Sequence, residues 1–405
     1  MSSQSRSLFQ PSDRVPSDAV FDLTRRYHAD QDPEKINLGQ GVYRGENGEP
    51  WVLPCLQLAK KTVGDFDHEY QPIAGYRPFV EAATKLVFEN TAAFTEGRIV
   101  SCQALSGTGA LLLAGLTLRN ISNSLDAVYI TDPDWPNHDK LFKNIGFSVE
   151  KIPYYKAGAF DFDTFTETLR SSKPGSAVVL HACAHNPTGC DPSMAQWEVI
   201  ASLIVEKGLF PIFDAAYLGF NSGSFDEDAK IIRYFVDEVK VEVAICMSMA
   251  KNMGLYGERV GLVSFVTKSA EARAVGQSVL ENMQRATVST PPAYGARLAA
   301  TVLETPDVRK QWMEDMKTMA GRIRTMRERL FEELQRLRTP GDWSHIIKQN
   351  GMFAYLGLSK AQVKHLEENC HVYMTSASRI SIAGLNDTNV GRFARAIDET
   401  VREVD

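Results

Sequence analysis

The middle of the chain alternates short, nearly all-apolar runs with longer stretches of mixed polarity. The apolar runs predict strands at 128–130, 148–153, 177–180, 209–213, 241–247 and 260–266. The stretches 194–206 and 229–238 have the length and polar spacing of crossover helices. Strands of this kind, separated by helices, predict an α/β fold with a mostly parallel sheet covered on both faces. Ligands of such folds bind beyond the carboxyl ends of the strands, so residues that follow the apolar runs are the first candidates for chemistry.

The pattern changes near residue 307. From there to about 338, apolar residues such as Trp312, Met316 and Ile323 recur at helical spacing in a highly charged stretch that ends at Thr339-Pro340-Gly341. Short strand-like pieces follow at 352–356 and 379–382, and a final helix is predicted from Asn386. This part of the sequence predicts a smaller α+β domain.

Composition restricts the class of protein. The 405 residues exceed what one core usually organises, which favours two domains, and 44% hydrophobic with 23% charged residues is typical of a globular protein. The net charge of −6, without a Lys/Arg-rich block, argues against nucleic-acid binding, and no apolar run is long enough to cross a membrane. Six scattered cysteines and the absence of a signal-peptide pattern in the Ser-rich start favour reduced thiols and a cytoplasmic location, with mitochondria as the alternative.

Lys251 follows the apolar run 241–247 and is the first candidate for chemistry. Desolvation or a neighbouring cation lowers the pKa of a lysine and converts it into an amine nucleophile. Most lysines at the end of a strand are nevertheless exposed and have no such role.

Three other segments carry polar groups at comparable positions. Ser106-Gly107-Thr108-Gly109 precedes a strong helix former, so free N–H groups and hydroxyls could hold a phosphate, although small-residue turns also begin many ordinary helices. This turn matches neither a P-loop nor a dinucleotide fingerprint. Asp214 follows 209–213 and Asn186 follows 177–180; the alternatives are a helix-capping Asp and a turn-forming Asn.

Together these groups match one cofactor, pyridoxal phosphate. It needs a phosphate site, an acid for its ring nitrogen, donors for its phenolate oxygen and a lysine that forms an imine. This chain could supply all of them from the turn Ser106-Gly107-Thr108-Gly109, Asp214, Asn186 with the nearby Tyr217, Lys251 and Arg259. No metal site is predicted, because Cys183 and Cys190 lack the companion spacing of a zinc site.

Longer motifs show a resemblance to a known family. They are Ile36-Asn37-Leu38-Gly39, Glu69-Tyr70 with Pro72-Ile73-Ala74-Gly75, Ser106-Gly107-Thr108, Asp134-Trp135 with Asn137-His138, 181–189, Asp214-Ala215-Ala216-Tyr217, 248–259 and Arg379-Ile380-Ser381. From about Val15 to its end the chain resembles the aspartate aminotransferases, a subgroup of the fold-type I pyridoxal-phosphate enzymes. The resemblance implies an N-terminal arm (1–14), a small domain built from 15–46 and 307–405, and a large cofactor-binding domain (47–306).

The resemblance also implies how the cofactor is held. Lys251 would form the imine and, once substrate displaces it, move the proton between Cα and C4′. Asp214 would keep the ring nitrogen protonated, Trp135 would stack on the ring, and Asn186 with Tyr217 would hydrogen-bond the phenolate oxygen. His138 and His181 would support Asp214. The phosphate would be bound by Ser106, Gly107, Thr108, Ser248 and Arg259, with Tyr70 reaching in from the partner subunit of a homodimer.

For the substrate, the resemblance implies that Arg379 grips the α-carboxylate with help from Asn186. Arg285 would cross the dimer interface to bind the distal carboxylate, and Gly41 would let the backbone close over the substrate. Planar bidentate pairing suits arginine at both places. The chain departs from the family pattern at Gln40, Met249, Ala250, Met253 and Thr290; Gln40 and Thr290 bear on dicarboxylate selectivity and Ala250 on one phosphate contact.

We therefore expect reversible transamination of aspartate and 2-oxoglutarate to oxaloacetate and glutamate by a ping-pong mechanism. One alternative is a broad-specificity or aromatic-amino-acid aminotransferase of the same family. An apolar donor would leave Arg285 unpaired at a cost of about 1–3 kcal/mol, which argues against exclusive use of aromatic donors. The other alternative is a non-catalytic protein of the same fold, which the presence of Lys251, Asp214 and both arginines argues against.

Overall fold

The computed structural model describes residues 15–122 and 124–404; the predicted N-terminal arm (1–14) lies outside the described residues. The strands are β1 (Ile36–Asn37), β2 (Ile99–Leu105), β3 (Ala127–Asp132), β4 (Ser148–Pro153), β5 (Tyr155–Lys156), β6 (Ala159–Phe160), β7 (Ala177–His181), β8 (Phe210–Ala215), β9 (Val243–Ser248), β10 (Val260–Val266), β11 (Phe353–Tyr355), β12 (Val372–Tyr373) and β13 (Arg379–Ser381).

The helices begin with α1 (Ala19–Ala29), α2 (Pro54–Val63), α3 (Arg77–Phe88), α4 (Ala92–Thr95), α5 (Ser106–Ile121), α6 (Pro136–Ile145), α7 (Phe162–Ser171) and α8 (Met194–Lys207). They continue with α9 (Phe225–Asp228), α10 (Lys230–Tyr234), α11 (Ala270–Thr287), α12 (Tyr294–Glu304), α13 (Pro306–Leu337), α14 (His345–Lys348), α15 (Lys360–Cys370) and α16 (Val390–Glu403). A π-helical turn (Phe235–Val239) extends α10, and a 3₁₀ turn (Ile382–Gly384) follows β13.

A seven-stranded sheet forms the centre of the fold, in the order β2-β10-β9-β8-β7-β3-β4. The five strands from β9 to β4 run parallel, whereas β10 is antiparallel to both of its neighbours. Strands β7, β9 and β10 are buried along their whole length, because helices cover both faces of the sheet. The predicted α/β class and mostly parallel sheet are confirmed.

The strand β2 was not among the predicted strands. Ser101 and Gln103 interrupt its apolar residues, so the run does not stand out in the sequence. In the structure these polar groups have partners: the Ser101 hydroxyl shares a hydrogen bond with Ser264 of β10 (2.8 Å), and the Gln103 amide donates to the Pro292 carbonyl (2.8 Å). Tertiary hydrogen bonds therefore make this strand compatible with burial.

Strand β2 leads into α5 without an intervening loop. Helix α5 begins at Ser106 rather than at Ala110, and Ser106 has a positive φ of 60°, which turns the chain from strand to helix in one residue. Its N-terminus has no side-chain cap.

Two predicted helices are present in the structure. The predicted helix 229–238 is α10 with its π-helical extension. The long predicted helix after residue 306 is α13, which ends at Arg338 in a left-handed conformation.

Outside the large sheet, two short pairings join distant parts of the chain. Strand β1 pairs in parallel with β12, and β11 pairs antiparallel with β13, which places Phe353 opposite Ser381 and Tyr355 opposite Arg379. The first pairing connects the N-terminal segment to the C-terminal one, as expected if 15–46 and 307–405 form one small domain. The boundaries themselves stay a prediction. Among the described residues, no helix is long and apolar enough to span a membrane.

Candidate active site

A cavity of about 890 Å³ lies beyond the carboxyl ends of β3, β7, β8 and β9. This is the edge of the sheet at which a ligand of such a fold is expected. The predicted site residues that line it are Gly41, Ser106, Gly107, Thr108, Trp135, Asn186, Asp214, Tyr217, Ser248, Lys251, Arg259 and Arg379. The large sheet brings most of these residues together, whereas Gly41 and Arg379 reach the cavity from segments outside that sheet.

Lys251 follows β9 in a turn and is partly buried. Its Nζ lies 5.1 Å from the centre of the Tyr256 ring, and the Tyr256 hydroxyl accepts the N–H of Tyr43 (2.9 Å), which fixes that ring. Burial, and then the positive charges of Arg259 and Arg379, lower the pKa of Lys251 from 10.5 to about 8, against the opposing effect of Asp214. About a tenth of this lysine is therefore a free amine at pH 7, and about half at pH 8.

Asp214 is at the carboxyl end of β8 and is 6% exposed. Its Oδ2 faces Nε2 of His138 (3.1 Å), whereas its Oδ1 is buried and has no hydrogen-bond partner among the described residues. A buried carboxylate oxygen without a donor is unfavourable, so this atom is open to an N–H donor from a ligand in the cavity.

The expectation for the two histidines needs a correction. His138 does contact Asp214, but Nε2 of His181 faces Oδ1 of Asp134 (3.1 Å) instead. The other oxygen of Asp134 faces Nδ1 of His138 (2.9 Å). His181 and Asp214 are register neighbours on β7 and β8, but the side-chain hydrogen bonds connect them through Asp134 and His138.

The turn that begins α5 forms a polar cradle with the end of β9. The hydroxyls of Ser106 and Ser248 share a hydrogen bond of 2.7 Å, and Ser248 Oγ also accepts the Ala250 N–H (3.1 Å). Gly261 of β10 makes room for this turn, since a Cβ there would lie 2.7 Å from the Cα of Ser106. The uncapped N–H groups and the positive end of the helix dipole favour an anion at this place.

Arg259 borders the same cradle. Its backbone φ is +54°, and its guanidinium donates to the Tyr256 carbonyl (2.9 Å). Burial lowers the pKa of Arg259, as expected for a cation that faces a cavity without an ionised partner.

Arg379 is 8% exposed and carries its charge into the cavity. Its guanidinium donates to the Gly39 carbonyl (2.8 Å) and to Asn186 Oδ1 (3.4 Å), and it lies over the Phe353 ring, 4.2 Å from the ring centre. Its Nε is buried without a partner, and no carboxylate among the described residues pairs with it. Burial lowers the pKa of Arg379, so the arrangement favours an incoming carboxylate.

Tyr217 and Trp135 complete the walls of the cavity. Burial raises the pKa of Tyr217 well above its usual range, so its hydroxyl stays protonated and can donate a hydrogen bond. The indole of Trp135 stands edge-on to His138, with ring centres 5.2 Å apart. The backbone N–H of Trp135 donates to Asp134 Oδ1 (2.8 Å), which fixes the start of α6 beside the cavity.

Two predicted residues do not line the cavity of their own chain. Tyr70 is 83% exposed, and Arg285 is exposed with its guanidinium donating to Ser289. This placement is compatible with roles in the site of a partner subunit, which stay a prediction.

The sequence analysis missed three contributors to the site. Asp134 was noted only as part of a motif, yet it binds both histidines. Phe353 packs on Arg379. It also lies next to Gly41, because a Cβ added to Gly41 would be 2.9 Å from the Phe353 ring. Helix α1 adds Val20 and Phe21 to the cavity wall. The position of Asp134 directly before Trp135, within the same motif, was a signal for its role; the other contributors depend on chain segments that are distant in sequence.

Comparison with known proteins gives a consistent result. The family model described as aminotransferase class I and II matches residues 33–397. The chain is 42% identical over 404 residues to a protein described as cytoplasmic aspartate aminotransferase from Schizosaccharomyces pombe, covering 98% of each chain.

Two solved structures are also similar. The chain superposes on the cytoplasmic aspartate aminotransferase of Saccharomyces cerevisiae with a TM-score of 0.95 and 41% identity, covering 98% of this chain and 99% of the other. It superposes on an aromatic-amino-acid aminotransferase of Burkholderia pseudomallei with a TM-score of 0.94 and 38% identity, covering 98% and 100%. That second structure is described as covalently bound to pyridoxal phosphate.

Proposed function

The chain belongs to the class I and II aminotransferases, and from this premise we propose that it transfers the amino group of L-aspartate to 2-oxoglutarate, giving oxaloacetate and L-glutamate. The observation that carries the proposal is a single cavity that holds a lysine of lowered pKa, a carboxylate with an open oxygen and a buried arginine without a carboxylate partner. The full-length likeness to proteins described as aspartate aminotransferases supports this choice of substrates.

The donor set of the cavity fits pyridoxal phosphate. The open Oδ1 of Asp214 suits a ring N–H, and the α5 N-terminus with Ser106, Thr108, Ser248 and Arg259 suits a phosphate. Lys251 would hold the cofactor covalently, and Asn186 with Tyr217 would donate to its phenolate oxygen. When bound, the cofactor supplies a ring that accepts the electron pair left when the amino acid loses its α-proton.

Lys251 has two tasks in this scheme. Its free amine, favoured by burial and by Arg259 and Arg379, is the nucleophile that holds the cofactor. During the reaction the same Nζ would accept the proton from the substrate Cα and later deliver it. A pKa of about 8 is close to the working pH, which suits a group that must both take up and release a proton.

Substrate orientation depends on arginine. Arg379 would pair bidentately with the α-carboxylate, with Asn186 as its neighbour, and the packing of Phe353 under the guanidinium keeps that fork in place. Arg285 of a partner subunit would pair with the distal carboxylate of the substrate. Gly41, which touches Phe353, leaves room for the backbone to approach the bound substrate.

We also propose a homodimer with shared sites, which the placement of Tyr70 and Arg285 supports. Both are exposed and lie away from the cavity of their own chain, although the family resemblance gives them roles in the site. A two-fold axis would bring each of them to the cavity of the other subunit. We also propose a cytoplasmic location, which the description of the Schizosaccharomyces pombe relative supports.

One observation favours a broader donor range as a second candidate. Helix α1 presents Val20 and the 75% exposed Phe21 at the cavity wall, where they could contact an aromatic side chain. A panel of donors distinguishes the two candidates: kcat/KM with 2-oxoglutarate is measured for aspartate, tyrosine, phenylalanine and alanine. The proposal expects aspartate to be preferred; equal values for aspartate and phenylalanine would establish the broader enzyme, and no turnover of any donor would refute both.

A further inference from the structure

His138 lies between two carboxylates. Its Nδ1 is 2.9 Å from Asp134 Oδ2, and its Nε2 is 3.1 Å from Asp214 Oδ2. All three side chains are buried: the side-chain exposure is 0% for His138, 2% for Asp134 and 7% for Asp214. His138 is in the first turn of α6 and Asp214 is in β8, whereas Asp134 is in the short connection that leads into α6.

The hydrogen-bonding inventory of these groups determines where the protons are. An ionised carboxylate can only accept, so each ring nitrogen that faces one must donate. A neutral imidazole has only one N–H and would leave one buried oxygen facing a lone pair. A doubly protonated His138 satisfies both carboxylates.

Asp134 has further donors that keep it ionised. Besides His138, its oxygens face His181 Nε2 (3.1 Å) and accept the Trp135 N–H (2.8 Å). Burial alone would raise the pKa of Asp134, but His138 and His181 hold it far below the usual range. Likewise, burial alone would lower the pKa of His138, but Asp134 and then Asp214 raise it to about 10.

Burial raises the pKa of four groups that interact with Asp134 or Asp214, so they stay neutral: Tyr154, Tyr217, Cys183 and Cys246. Two histidines and a lysine also lie near this cluster. Burial keeps the pKa of His185 well below its usual value, so His185 stays neutral. The Nδ1 of His181 is buried and has no hydrogen-bond partner among the described residues. The lysine, Lys251, lies on the cavity side of Asp214 and is coupled to it.

We propose that Asp134 is a positioning residue for the aminotransferase reaction: it keeps His138 doubly protonated, so that Asp134, His138 and Asp214 together present one net negative charge to the ring nitrogen of the bound cofactor. Without the charge of Asp134, a protonated His138 would neutralise Asp214, and a protonated ring nitrogen would face no net counter-charge. The inference rests on the proposed function for one part, the counter-charge that the cluster offers to the cofactor ring. The protonation of His138 is inferred from the geometry of this chain.

The test is nuclear magnetic resonance of the cofactor-saturated protein labelled with ¹⁵N-histidine, with the His138 resonances identified by their loss in His138→Gln. Both ring nitrogens of His138 are expected to carry a directly bonded hydrogen at neutral pH and to keep it as the pH rises toward 10. In Asp134→Asn, His138 is expected to lose one of these hydrogens at a lower pH than in the unsubstituted protein. The same variant should bind pyridoxal phosphate more weakly, measured by equilibrium dialysis.

The matched control is His181→Gln, which keeps an N–H donor for Asp134 and leaves the charge of Asp134 unchanged. Its His138 is expected to titrate as in the unsubstituted protein. An unprotonated ring nitrogen of His138 at neutral pH in the unsubstituted protein would overturn the inference, even if the variants did not fold. So would equal effects of Asp134→Asn and His181→Gln. By contrast, a lack of turnover with every amino donor in the panel would refute the proposed function, and the protonation of His138 could still be measured and interpreted.

Discussion

The lowered pKa of Lys251 has a consequence for stability that can be measured without catalysis. In the folded protein the pKa is about 8, against 10.5 for the free side chain. Below pH 8 the lysine is charged in both states, and the folded state carries the whole penalty of holding that charge in the site. As the pH rises from 8 to 10.5, the folded protein loses the proton first, and the penalty disappears.

The magnitude follows from the two pKa values. At about 1.36 kcal/mol per pKa unit, the difference corresponds to a penalty of about 3 kcal/mol at pH 7, falling to about 1 kcal/mol at pH 10. Lys251→Met removes the charge, so the cofactor-free variant is expected to be more stable than the cofactor-free parent. That advantage should shrink by about 2 kcal/mol between these two pH values.

The assay is urea unfolding of both cofactor-free proteins at a fixed protein concentration over this pH range. Because the two proteins share every other titrating group, the difference between their free energies of unfolding isolates residue 251, and any constant packing effect of Met cancels in its pH dependence. Lys60→Met is the control, since Lys60 is exposed on α2 and keeps its hydration in both states. A difference that does not change with pH, or that grows as the pH rises, would refute the assignment.

Three further predictions concern the site. Arg379→Lys should raise KM for every amino donor by roughly tenfold or more, because a point charge replaces a buried bidentate fork; an unchanged KM for alanine, which has only the α-carboxylate, would contradict this. Arg285→Ala should impair aspartate far more than phenylalanine, and mixing it with Lys251→Ala should restore about a quarter of the activity through hybrid dimers with one intact site; no recovery would place Arg285 in its own subunit. Gly261→Ala should displace Ser106 and weaken binding of pyridoxal phosphate, which fluorescence titration measures, while an unchanged affinity would show that the turn tolerates the methyl group.

Part of the fold was predictable because burial leaves a strong local pattern. Strands β7, β9 and β10 are buried on both faces and therefore appear as uninterrupted apolar runs. Strand β2 was not predicted because polar residues interrupt its apolar pattern. Those residues are compatible with burial only because they form hydrogen bonds with partners that are distant in sequence. Helix α5 was predicted to start four residues late, because only the three-dimensional turn reveals that Ser106 adopts a positive φ.

The sequence by itself determined which groups are available for chemistry and at which edge of the sheet they gather. Lys251, Asp214 and Asn186 each follow an apolar run, and the carboxyl ends of parallel strands meet at one edge, so their convergence follows from connectivity alone. The protonation of Lys251, by contrast, depends on the folded structure, because a pKa responds to desolvation and to neighbours from other elements. Lys251 has a lowered pKa since it is buried near Arg259 and Arg379.

The same distinction applies to the groups around Asp214. In the sequence Asp134, His138 and His181 are three polar residues in two motifs, and nothing in their spacing assigns a partner to each. Folding places His138 of α6 between the carboxylates of Asp134 and Asp214, and one oxygen of Asp214 is left open to the cavity. Hydrogen bonds between side chains of different elements depend on their positions in three dimensions. The periodicity of the sequence predicts helices and strands and does not predict these partners.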